Sequence, residues 1–122
     1  TAGVAEAAGH AAALSDGGVL VAGDAFGNIP TLDGKTPLNP YSAVQDLLLV
    51  KMNSLGGVEW YTFVGGANND NALGLTATRD GGFVVSGSSS SNLGAVGSLS
   101  PVNAFVNAAE FFILRGSSSG SF

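Results

Sequence analysis

The sequence predicts an all-β protein of two tandem four-stranded antiparallel sheets, the second of which lacks its last strand. Three observations lead to this fold class. Short apolar runs recur between turn-forming residues, which is typical of proteins built from many short strands. The residue pattern repeats after 64 positions. No stretch shows sustained helical periodicity with caps. A β-sandwich of two sheets, one per repeat, is the alternative fold.

The repeat is the main feature of the chain. Residues 16–23 (DGGVLVAG) return as residues 80–87 (DGGFVVSG), and residues 46–51 (DLLLVK) return at the same offset as residues 110–115 (EFFILR). Self-similarity at a fixed period indicates a repeat architecture. Three more matched positions carry similar residues: Pro37 with Pro101, Asn39 with Asn103 and Tyr41 with Phe105.

Each repeat is predicted to consist of short strands joined by turns and one long loop. The Asp-Gly pairs at Asp16 and Asp80 predict type I′ hairpin turns, which need a positive φ at both central residues. Gly, Ser, Asn and Pro crowd residues 24–45 and 88–109, which predicts loops. The continuous apolar third strands are predicted to be buried on both faces. The predicted strands are 7–14, 19–23, 47–52 and 58–64 in the first repeat, and 72–78, 83–87 and 111–115 in the second.

Residues 4–14 are the best helix candidate, because they are rich in alanine and alanine has the highest helix propensity. The repeat partner, residues 68–78, carries Asn, Gly and Thr, which do not favour a helix. Since the two segments occupy the same place in the repeat, we predict strands for both.

The second repeat is incomplete. Val58 aligns with Phe122, so no counterpart of residues 59–64 follows in this sequence. We therefore predict one all-β domain over residues 1–122, with repeat 1 at 1–64 and an incomplete repeat 2 at 65–122. A sheet that is short of one strand exposes unpaired backbone groups, which other structure must cover or pair.

These motifs resemble the bacterial SBBP, or delta-60-type, β-propeller repeat families. A blade of those families reads W-x-x-x-x-G-G, an acidic residue, D-G-G-[aromatic]-V-V-x-G, a polar loop and D-[apolar]4-K. Residues 60–66 (WYTFVGG), Asp70 and residues 80–87 follow this pattern. The resemblance implies two tandem propeller-type blades. Closed propellers need roughly four to eight blades, so we expect a fragment, a subunit of a ring, or two sheets packed otherwise. The first copy departs from the pattern, with Thr1-Ala2 where the second has Gly65-Gly66.

Composition narrows the choice of partner. The net charge is −5, charged residues make up 11% of the chain, and Lys and Arg number only four. Nucleic acids and anionic membrane surfaces bind clustered basic residues, so we expect neither as a partner. No apolar run approaches the ~20 residues of a membrane span. A charge-poor surface resists self-association weakly. We expect protein partners, either copies of the chain or a larger complex, and a secreted or cell-envelope location.

Catalytic residues are scarce. The chain has no cysteine and His10 is its only histidine, so nucleophilic triads and zinc sites lack members. We therefore predict a protein that is not an enzyme and has no catalytic residues and no cofactor. The segment from Asp33 to Thr36 (DGKT) ends like a phosphate-binding loop, but Ile29 stands where that motif requires glycine.

Calcium is the one metal that the composition leaves open, since its ligands are oxygen atoms. No calcium-loop motif is present, and turn formation explains these acidic residues better. The acidic and basic residues that flank the third strands, among them Lys51 and Arg115, are expected to be solvated strand ends with weak surface ion pairs. The candidate calcium ligands are Asp24, Asp33, Asp46, Asp70 and Glu110.

Trp60, Tyr61 and Phe63 are the candidate partner-binding residues. Strand alternation places Trp60 on one face and Tyr61 and Phe63 on the other. Packing between sheets is the favoured explanation for these aromatic residues, and a platform for a sugar or a partner is the functional one. The sequence therefore indicates a non-catalytic structural subunit of an extracellular or envelope complex or homopolymer. The alternative is a carbohydrate-binding or adhesive propeller module whose long loops carry recognition.

Overall fold

The computed structural model describes residues 6–106 and 108–122; residues 1–5, where the first predicted repeat starts, and residue 107 lie outside the described part. Seven antiparallel strands form two sheets, of order β1-β2-β3-β4 and β5-β6-β7, and they do not close into a barrel. The all-β fold, with a second sheet one strand short, is confirmed. The strands are β1 Glu6–Ala13, β2 Val19–Ala25, β3 Asp46–Met52, β4 Val58–Val64, β5 Asp70–Ala77, β6 Phe83–Ser89 and β7 Glu110–Gly116.

The alanine-rich segment forms β1, so the strand prediction holds over residues 6–13 against the helix propensity. β1 pairs with β2 along its length, with a register shift between Ala8 and His10. The same shift occurs between Ala72 and Gly74 of β5, 64 positions later. Tertiary pairing outweighs helix propensity here, because propensity differences amount to less than about 1 kcal/mol per residue.

The hairpin turns lie where the sequence predicts them, but their type differs. Gly17 and Gly81 have φ of +83° and +88°, whereas neither Asp16 nor Asp80 has a positive φ. The amide of Gly17 donates to the carbonyl of Leu14 at 3.1 Å. This is a type I turn followed by a left-handed glycine rather than a type I′ turn. The Asp16 carboxylate accepts a hydrogen bond from the Gly18 amide, which stabilises the observed form.

The main core lies between the two sheets. Strand β5 lies against β1, β2 and β3. The side chains that point into this core come from non-equivalent positions of the two repeats. The face that the first sheet turns to the core therefore corresponds to the face that the second sheet turns away from it. A second cluster lies on the other face of the first sheet, under its own long loop. The inter-sheet core includes Leu20, Ala22, Leu47, Leu49 and Trp60 from the first sheet and Phe83, Val85 and Leu114 from the second.

The predicted burial of the third strands on both faces is confirmed for β3 and wrong for β7. In β3 every residue is buried or half-buried. In β7, Phe111 and Ile113 are 82% and 79% exposed, whereas their repeat partners Leu47 and Leu49 are fully buried. The physical reason is stacking order: the second sheet covers this face of the first sheet, and no described residue group covers the same face of the second.

Candidate assembly surface

The exposed side of the second sheet presents two large apolar side chains, and the equivalent side of the first sheet shows what such a surface can bind. We call it the open face and define it by Val84, Ser86, Phe111 and Ile113. Register pairs Ser86 with Ile113, so these side chains share one face. The counterparts of these residues in the first sheet, from Leu20 to Leu49, form the core between the sheets. The open face therefore repeats a surface that binds a β-sheet within this chain.

An ion pair that occurs in both repeats also differs in burial between them. Lys51 lies 2.5 Å from Asp16 and 2.6 Å from Glu59, and its side chain is only 5% exposed. Its repeat partner Arg115 binds Asp80 with a side chain that is 63% exposed. The expectation of a solvated strand end is thus wrong for Lys51 and right for Arg115. Burial alone lowers the pKa of Lys51, but the bonds to its two acidic partners outweigh this and raise it.

The three aromatic residues that the sequence singled out are buried. Trp60 faces the second sheet, where its ring lies 6.0 Å from that of Phe83 and its indole N–H donates to the Ser118 carbonyl at 2.9 Å. Tyr61 and Phe63 lie on the other face, in the second cluster. The predicted alternation is confirmed. Since all three side chains are buried, they offer no surface to a sugar or partner here, and the observed arrangement is core packing.

Two carboxylates, those of Asp46 and Asp70, are fully buried, and the expectation of a solvated strand end is therefore wrong for Asp46. Asp46 accepts a hydrogen bond from the Ser42 amide at 2.6 Å, and Asp70 accepts one from the Gly66 amide at 2.7 Å. The Oδ1 atom of each has no hydrogen-bond partner among the described residues. Burial raises the pKa of both groups, and the charge of nearby Asp70 raises that of Asp46 further. These acids are held at the ends of strands as structural groups, and part of their hydrogen-bonding capacity is unused.

All five candidate calcium ligands accept a hydrogen bond from a backbone amide. For Asp46, Asp70 and Glu110 the donor lies four residues earlier in the chain, which is the expected turn chemistry, whereas Asp24 and Asp33 bind amides of distant segments. Besides the two buried acids, Asp24 binds the Ala72 amide across the sheets at 2.9 Å. Asp33 binds the Val58 amide at 3.0 Å, and Glu110 binds the Val106 amide at 2.8 Å. Within residues 6–106 and 108–122, no group of three or more His, Cys, Asp or Glu side chains is arranged to hold a metal ion.

His10 lies half-buried in β1 opposite Ala22. The comparisons with known proteins add no identity: no family model matches the chain, and no curated protein matches it. Among the described residues, no helix is long and apolar enough to cross a membrane.

The sequence analysis did not single out Phe111 and Ile113 as surface residues. The 64-residue offset places them at the positions of Leu47 and Leu49, but it does not show which face of each sheet meets the other.

Proposed function

We propose that this chain is a non-catalytic structural subunit that assembles with neighbouring chains by sheet packing, in an extracellular or envelope complex or homopolymer. The observation that carries the proposal is the open face. Phe111 and Ile113 are highly exposed, although their repeat partners lie in the inter-sheet core. Exposed apolar patches of this kind mark interaction sites in soluble proteins.

The partner surface on a second copy follows from the repeat. In this chain the second sheet presents Phe83, Val85 and Leu114 to the first sheet. The repeat partners of these residues are Val19, Val21 and Val50, which are half-buried. A second copy would place this valine face on the open face. Such a contact joins two different surfaces, so repetition generates a ring or an open filament.

The apolar residues of the open face contribute to the free energy of association. Burying a Phe or Ile side chain contributes about 1.5–3 kcal/mol. The two large residues of the open face therefore supply about 3–6 kcal/mol, to which the rest of the interface adds and from which the cost of association is subtracted. A charged residue at either position removes this contribution and adds the cost of burying an unpaired charge.

The test compares Ile113→Glu with Leu55→Glu. Leu55 is 94% exposed in the turn between β3 and β4, far along the chain from the open face, and both variants add the same charge. Size-exclusion chromatography with light scattering should show assembly of the original chain and of Leu55→Glu at micromolar concentration. For Ile113→Glu we expect association to weaken by at least about 100-fold, because about 3 kcal/mol is lost.

Two outcomes would overturn the proposal. The original chain could remain monomeric over the whole concentration range, or both variants could reduce assembly equally. In the second case general charge repulsion, and not the open face, would govern association.

A further inference from the structure

In the first repeat, β4 lies between β3 and the long loop that joins β2 to β3. One edge of β4 pairs with β3. A short segment of the loop forms hydrogen bonds with the other edge of β4. The Leu38 amide donates to the Tyr61 carbonyl at 2.9 Å, and the Phe63 amide donates to the Asn39 carbonyl at 3.3 Å. The Asn39 amide and Nδ2 both donate to Thr62 Oγ1, at 3.1 and 2.9 Å. β4 is therefore held on both edges by backbone hydrogen bonds.

Two further contacts fix the side chains of β4 against the loop. The Tyr61 hydroxyl donates to the Ile29 carbonyl at 2.8 Å in a buried position. The rings of Phe63 and Tyr41 meet edge to face with centroids 5.5 Å apart. The loop thus recognises a strand with aromatic, threonine and aromatic residues at three successive positions.

The second repeat keeps this recognition loop. Leu93, Asn103 and Phe105 are the repeat partners of Ile29, Asn39 and Tyr41. The loop also keeps its internal bonds. Val96 and Leu99 exchange two backbone hydrogen bonds, as their repeat partners Leu32 and Lys35 do. The amide of Val106 binds Glu110 as that of Ser42 binds Asp46.

No described strand occupies the equivalent position in the second repeat. Strand β7 pairs only with β6 among the described strands. An apolar cleft lies between β7 and the loop, with Phe112 and Leu114 on one wall and Leu99, Pro101 and Val102 on the other. Val102, the repeat partner of Leu38, is 99% exposed. The chain also forms the turn that precedes β4 in the first repeat, since the Gly120 amide donates to the Ser117 carbonyl just as that of Gly56 does to Asn53.

We propose that this cleft, which we call the strand slot, binds an extended segment with the residue pattern of β4. The segment pairs antiparallel with β7, its tyrosine hydroxyl donates to the Leu93 carbonyl, its threonine accepts from Asn103, and its second aromatic ring meets Phe105. That a neighbouring chain supplies the segment rests on the assembly proposed above. Strand addition to an exposed edge is an established mode of peptide recognition.

The probe is a labelled synthetic peptide of residues 57–66 (GVEWYTFVGG). It is added to the full chain carrying Val84→Glu, an open-face substitution on β6 that does not line the cleft, so that assembly does not compete. Fluorescence anisotropy should show saturable binding of one peptide per chain. A Tyr61→Phe peptide should bind about tenfold more weakly, because the bond to the Leu93 carbonyl is lost. A scrambled peptide should not bind.

Matched variants of the chain test the position of the slot. In the first repeat the Leu38 amide donates to the Tyr61 carbonyl, and Val102 is the repeat partner of Leu38. Val102→Pro removes the equivalent amide, so we expect peptide affinity to fall by about tenfold or more. Ala104→Pro is the control, because its repeat partner is Pro40 and the loop accepts proline there. Circular dichroism verifies that both variants fold.

The outcomes separate the two proposals. If the folded chain assembles but does not bind the peptide, or binds the scrambled peptide equally well, the strand slot is overturned and assembly through the open face stands. If the peptide binds with the expected dependence on Val102 but the original chain never assembles, the slot stands and the donation of a strand by a neighbouring chain is overturned.

Discussion

Replacing equivalent residues of the two repeats should have very different effects on the free energy of unfolding. Leu49 and Ile113 occupy the same position of the repeat, in the third strand of each sheet. Leu49 is fully buried in the inter-sheet core, and Ile113 is 79% exposed. Substitution of each by alanine removes a similar amount of side chain, so the comparison isolates the effect of the second sheet on the first.

The magnitudes follow from burial. Leu49→Ala removes a buried side chain and leaves a cavity between the sheets, which costs about 2–5 kcal/mol. Ile113→Ala loses little contact within the chain and should cost less than about 1 kcal/mol, mostly through the lower strand propensity of alanine. For a domain of this size 1 kcal/mol shifts the melting temperature by roughly 4 °C. Leu49→Ala should therefore melt roughly 8–20 °C lower.

Urea denaturation followed by tryptophan fluorescence provides the measurement. Trp60 is the only tryptophan and is buried between the sheets, so its emission reports their separation. The measurement is made at nanomolar concentration, where we expect the chain not to assemble, so that no neighbouring chain covers Ile113. Equal destabilisation by the two substitutions, independent of concentration, would refute the stacking order described here.

Two further predictions concern charged groups. Lys51→Ala should destabilise the chain by about 1–3 kcal/mol in urea denaturation, because the charged hydrogen bonds of a buried side chain are lost. Arg115→Ala should change the free energy of unfolding by no more than about 0.5 kcal/mol, because its ion pair is exposed. Similar costs for both variants would contradict the difference in burial. Burial raises the pKa of Asp70 above its ordinary value of 3.8, so the folded chain binds the extra proton and stability falls as pH rises through that range. Non-titrating Asp70→Asn should therefore gain stability relative to the original chain as the pH rises above 3.8, measured by urea titrations at several pH values. A difference that does not vary with pH would contradict this.

Local patterns identified most of the fold. The apolar runs, the Asp-Gly turns and the 64-residue offset predicted all seven strands within two residues of their observed ends, because strand pairing and tight turns depend on neighbouring residues. The repeat also predicted β1 correctly against its helix propensity. The turn type was wrong, since the aspartate side chain selects the backbone conformation through a hydrogen bond to the amide two residues on.

The candidate site depended on contacts between sheets, which residue patterns do not specify. Leu47 and Phe111 are equivalent in sequence, and so are Lys51 and Arg115, yet one member of each pair is buried and the other exposed. Strand periodicity defines two faces of a sheet but does not state which face meets another sheet. The burial of a residue depends on the neighbours that tertiary packing brings to it. The second sheet covers the face of the first sheet that carries Leu47, whereas the equivalent face of the second sheet, which carries Phe111, is exposed.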